Sequence, residues 1–284
     1  MANVCKCQHK DCTAVTTNPV DERWISVPLK NRGNRFGYLC PLHSNGYGDS
    51  DYSDENDTLR GKMKKNGYTY SFEFEVRRPS VVFRAELLNA EFLPTRDITT
   101  ECEFKSPIYL GLNAIPKKLQ TIESLLNNGH GAVTDGDGTH FHVGHVDYIN
   151  HETMRYISRF YHSLFVPLSD AMRENPELTE KLFGRNFVHY AQAVNENTRP
   201  YAHENFINIQ HDNTIEFRLC KFRNSAQYMN AVHFCKAATD AIINNFIKHF
   251  DDPNATTATR KHKADIAAQK LVRLFYKYAN NTPE

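Results

Sequence analysis

The chain has 284 residues, with 34 Lys and Arg against 33 Asp and Glu and a formal net charge of +1. That length buries a full core in one large domain, with or without a small appendage. So even a balance excludes a whole-molecule field that would draw the protein to nucleic acid or to a membrane surface. No apolar run approaches a membrane span, and the opening MANVCKCQHK lacks the apolar centre of a signal peptide, so a cytoplasmic location is expected.

Seven cysteines, four of them within the first 40 residues, do not read as a disulfide framework in that compartment. Cys7-x4-Cys12 followed by Cys40-Pro-Leu-His43 instead has the spacing of a structural zinc site, with thiolate and imidazole donors in two close pairs. Cys5 is an alternative first ligand, and the competing reading is a set of inert thiols. Residues 1–45 are therefore expected to form a zinc-binding module. Six Lys and Arg against three Asp and Glu in that segment permit contact with nucleic acid or protein without requiring either.

Residues 46–66 are polar, acidic and glycine-containing and read as a linker or loop. From 67 to 284 the pattern is that of a folded domain. Strands are expected at YTYSFEFEV, VVFRAELL, TECEFKSPIYL, THFHVGHV, NFVHYAQAV, NFINIQ and TIEFRLCKF. Helices are expected at PKKLQTIESLLNN, at HETMRYISRFYHSLFVPLSDAMRE, from an N-cap at Asn224 or Ser225 through AQYMNAVHFCKAATDAIINNFIKHF, and at RKHKADIAAQKLVRLFYKYA. Runs of strands without regular βα alternation predict an α+β fold with a mostly antiparallel sheet backed by helices.

Strands send successive side chains to opposite faces. Glu73 and Glu75 therefore oppose Phe72, Phe74 and Val76, and Glu101 and Glu103 oppose Cys102 and Phe104. His140 and His142 oppose Phe141 and Val143, and Glu216 and Arg218 oppose Ile215, Phe217 and Leu219. The simplest reading is one greasy face and one wet face. A wet face, however, usually mixes lysine, threonine and glutamine, whereas these paired positions are Glu-Glu, Glu-Glu, His-His and Glu-Arg with no lysine. Neighbouring carboxylates repel unless cations hold them together. Hard divalent cations take carboxylate oxygens, imidazole can join a Mg²⁺ or Mn²⁺ site, and an adjacent arginine can clamp phosphate bidentately. The pattern predicts a metal–nucleotide site on the polar sheet face.

FEFEV, then Asp97 with ECEFKSP, then GTHFHVG, then TIEFRL before a helix come in an order that resembles the amidoligases of the glutamine synthetase and glutamate–cysteine ligase superfamily. The resemblance covers roughly residues 67–250. It implies an antiparallel sheet curved around ATP and Mg²⁺ or Mn²⁺. It implies metal ligation by Glu73, Glu75, Glu103, His140 and Glu216, and nucleotide contacts from His142 and Arg218. Glu75, Glu103 and Arg218 would act on the reacting groups. Arg185 and Arg223 are further candidate phosphate or substrate contacts. The loop of Asp97 departs from the family pattern, Glu101 has no firm counterpart, and His145 reads as structural.

The implied activity is ATP-dependent amide or peptide bond formation between a carboxylate and an amine, either of them free or carried on a peptide or protein, through an acyl phosphate. Two alternatives stand beside it. One is phosphotransfer on the same fold, as in guanidino kinases. The other is a zinc-organised binding protein on an inactive ligase-like scaffold.

Overall fold

The computed structural model describes residues 5–6, 15–16, 25–28, 36–39, 67–95, 102–189, 191–202, 204–210 and 213–282. Two compact units divide the chain. The first comprises Met1–Lys62, Glu73–Ile108 and Ser124–Asp137, the second Met63–Phe72, Tyr109–Glu123 and Gly138–Glu284. Both α and β elements occur, and the strand pairings whose register is described below are antiparallel.

The first unit opens with two antiparallel pairings, β1 (Cys5–Lys6) with β2 (Val15–Thr16) and β3 (Ile25–Pro28) with β4 (Phe36–Leu39). Strand β5 (Tyr68–Val76) matches the alternating stretch YTYSFEFEV end to end, and Glu73–Val76 belong to this unit. The segment VVFRAELL, expected as a strand, is instead helix α1 (Val81–Asn89). The Ser80 hydroxyl accepts from the Phe83 N–H at 3.1 Å, an N-cap that stops an extended reading at its first residue. Phe83 and Leu87, four apart, are the helix's buried positions, while Val81 and Val82 face solvent. Strands β6 (Leu93–Thr95) and β7 (Cys102–Lys105) follow, in the order β6–β7–β5. Phe104 lies opposite Phe74 across β7 and β5, and both rings contact Phe83, so one aromatic cluster holds this half together.

Helix α2 (Ile115–Asn127) carries residues of both units. In the second unit the order is β5–β8–β10–β9, with β8 at Thr139–His145, β9 at Ile207–Asn208 and β10 at Ile215–Phe217. The single helix expected over 151–174 is two, α3 (His151–Arg159) and α4 (Tyr161–Glu174). Phe160 between them leaves helical geometry at φ −118°, and its ring packs on Tyr156 and Phe246. Helix α5 (Pro176–Phe183) has Pro176 in its first turn and Gly184 after its end. The described residues of NFVHYAQAV, expected as a strand, form the isolated bridges Val188–Ala191 and Gln192–Asn205. Helices α6 (Ser225–Asn245) and α7 (Thr257–Asn281) pack on each other, α4 and α5 pack on α7, and α6 lies against β8. Asn224 caps α6 through the Gln227 N–H, as expected.

Phe141, Val143, Ile207, Ile215 and Phe217 form the apolar face of this part of the sheet and are buried. No helix among the described residues is long and apolar enough to cross a membrane.

Candidate functional site

The register of the second unit sets Glu216 on β10 opposite His142 on β8 and opposite Asn208 on β9. Opposed residues share a face, so His142, Glu216 and Asn208 make a row across three strands, with His140 and Arg218 one step along it. A wet face is not what results. His140, His142, Glu216 and Arg218 are each under a tenth exposed, and Asn208 is fully buried.

The Glu216 carboxylate organises this row. Its Oε1 accepts a hydrogen bond from Arg218 Nη1 at 2.8 Å and lies 3.2 Å from His140 Nδ1. His142 Nδ1 lies 3.4 Å from the Thr214 hydroxyl. An imidazole nitrogen of His142 and a carboxylate oxygen of Glu216 lie within 4.8 Å of each other, close enough to share an ion. A desolvated carboxylate flanked by guanidinium and imidazole is costly to assemble, and leaving one partner unpaired costs about 3–5 kcal/mol. The donor set of carboxylate, imidazoles and guanidinium fits a hard divalent cation with a phosphate ligand.

Two of the expected nucleotide contacts are engaged with the backbone. Arg185 donates from Nε to the Leu219 carbonyl and from Nη2 to the Arg218 carbonyl, both at 3.1 Å, which fixes the chain just beyond β10. Arg223 donates from Nε to the Gly184 carbonyl at 2.7 Å and from Nη2 to Glu180. His145 is structural in its surroundings, as expected. Its ring meets Tyr68 edge-on at 4.5 Å, Tyr148 packs beside it, and its Nδ1 accepts from the Asp147 N–H. Burial holds its pKa below the ordinary imidazole value.

The first unit presents an acidic face of its own. Glu75 on β5 lies directly opposite Glu103 on β7, and Glu73 opposite Lys105. Glu75 and Glu103 are each 5% exposed. The paired positions singled out in the sequence carry no lysine, but Lys105, one step beyond Glu103 on β7, joins them on this face. Lys105 Nζ lies 3.1 Å from Glu73 Oε1 and 3.8 Å from Glu103 Oε1, so an internal ammonium offsets part of the repulsion among the three carboxylates. The signal was present in the sequence, because Lys105 continues the period of two from Glu103.

Asp97, Glu101, Cys7, Cys12, Cys40 and His43 lie outside the described residues. Asn208 was not singled out in the sequence. In comparison with known proteins, no family model matches the chain and no curated protein matches it.

Proposed function

We propose that the protein is an ATP-dependent carboxylate–amine ligase on a glutamine synthetase-like fold, forming an amide or peptide bond through an acyl phosphate. The observation that carries this reading is the buried His140–Glu216–Arg218 constellation, in which a carboxylate, an imidazole and a guanidinium from adjacent strands occupy one desolvated sheet face. A solvated surface has no need of that arrangement, and a phosphoryl-transfer site does. Fixed charges in a water-poor setting stabilise charge that develops during reaction far better than the same groups in water.

In this reading the substrate carboxylate attacks the γ-phosphorus of ATP in line. The bond from that phosphorus to the β-γ bridging oxygen breaks, and ADP leaves. The amine nitrogen then attacks the acyl carbon, the amide C–N bond forms, inorganic phosphate departs and the amine gives up a proton. Arg218 holds a phosphate oxygen through a planar guanidinium and balances the charge that accumulates in transfer. His142 orients the phosphates from the neighbouring strand. Mg²⁺ or Mn²⁺ would supply further charge neutralisation there; Glu216 and His140 are the proposed ligands within the second unit, and Glu73, Glu75 and Glu103 are proposed metal ligands within the first unit by itself.

The test is ADP release by the purified protein with Mg²⁺ and pooled carboxylates, with hydroxylamine as the trap. Hydroxamate formation is expected with the carboxylate that stimulates ADP release. A stable phosphorylated cosubstrate without hydroxamate rules for phosphotransfer. A protein that binds ATP and releases no ADP with any pool rules for a binding scaffold.

A further inference from the structure

Asn208 is fully buried, and its Nδ2 amide has no hydrogen-bond partner among the described residues. Such groups are rare in native proteins, because an unsatisfied buried amide donor costs on the order of 1–3 kcal/mol. The amide cannot be rescued by exchanging its nitrogen and oxygen. Oδ1 accepts from the Gln210 N–H at 2.8 Å, so the oxygen is committed and the nitrogen faces away. Nor can the backbone swing the side chain elsewhere. The carbonyl of Ile207 accepts from the buried Tyr161 hydroxyl at 2.6 Å, the Phe206 N–H donates to the Gln192 carbonyl at 3.0 Å, and the Arg218 N–H donates to the Phe206 carbonyl at 2.8 Å. The two residues before Asn208 are pinned, and what is left over is one donor beside Glu216 on the polar face.

We infer that Asn208 is a ligand-binding residue whose Nδ2 donates to a phosphate oxygen of ATP bound on this face. This rests on the nucleotide reading above. The ligand atom must be an acceptor, because the orphaned group is a donor. It must also be accompanied by positive charge, because Glu216 is the cross-strand neighbour. Arg218 beside it, and a divalent cation carried in with the nucleotide, meet that condition.

Two variants decide it. Asn208→Asp keeps an oxygen for the Gln210 N–H and replaces the donor with an anionic acceptor. Asn208→Leu keeps the branched side-chain shape, with the same number of heavy atoms, and removes both polar groups. Melting temperature and the Kd for Mg·ATP are measured for each. The expected result is a nucleotide-free melting temperature close to wild type in at least one variant, with Mg·ATP bound about 10- to 100-fold more weakly, as for loss of one hydrogen bond to a charged oxygen. Unchanged Mg·ATP affinity in a folded variant overturns the inference and leaves the ligase reading standing. Loss of folding in both variants assigns Asn208 to the scaffold and overturns it as well. Failure of wild type to bind Mg·ATP overturns both together.

Discussion

Glu216 Oε1 lies 2.8 Å from a guanidinium nitrogen of Arg218 and 3.2 Å from His140 Nδ1, so Arg218 is positioned by the carboxylate it neutralises. Lysine at that position would keep the charge and still reach Glu216, but would lose the planar pair of donors that grips phosphate. Arg218→Lys is therefore expected to fold and to bind Mg·ATP within a few-fold of wild type. In the proposed reaction its hydroxamate formation should fall by at least about 100-fold, since the proposed contact would matter most as charge moves onto the transferring phosphoryl group. Calorimetric titration and single-turnover trapping separate the two effects. Equal turnover in the variant would remove Arg218 from the reaction.

Gly184 shows how an element's end can depend on one residue. It closes α5 in the left-handed region at φ +80°, and a Cβ there would sit 2.2 Å from the Lys221 carbonyl oxygen. Gly184→Ala combines that clash with the left-handed penalty of about 1 kcal/mol or more. The melting temperature should drop by several degrees, at about 2–4 °C per kcal/mol for a chain of comparable size. A thermal melt within one degree of wild type would contradict this. The stretch ENPELTEKLFGRN displays both punctuation marks of this helix, Pro176 at its start and Gly184 after its end, so α5 was legible although it is not among the helices expected. Strand β5 and the polar faces of β8 and β10 were legible, because alternation by two is a property of the backbone itself. VVFRAELL misled because β-branched valines outweighed Ser80, whose capping bond is local but depends on conformation. NFVHYAQAV alternates, yet among its described residues the pairing takes the form of bridges of single residues. Of the candidate site, the charged residues could be read from their types. Lys105 could have been found by extending the period one step. Asn208 could not, since its interest lies in what its amide lacks, and only neighbouring strands in register reveal that.

For the whole molecule, the near-neutral charge means that binding must come from local constellations. The proposed zinc set of Cys7, Cys12, Cys40 and His43 would be one of them. A segment as short as residues 1–45 supports little core alone, and structural zinc supplies folding energy to such modules. Protein purified without chelators should carry close to one zinc per chain, and Cys40→Ser should lose it while Mg·ATP binding by the remainder persists. Metal analysis finding none would exclude the site. Arg185 has a different lesson for anyone surveying the chain by activity. It reaches forward along the chain, 33 residues to the Arg218 carbonyl and 34 to the Leu219 carbonyl. If the proposed activity is present, a saturation screen scored on turnover will rank Arg185 beside the proposed ligand-binding residues, although its bonds to Arg218 and Leu219 go to main chain. A parallel screen scored on abundance will separate them, since losses at Arg185 lower the amount of protein and losses at Arg218 to lysine do not.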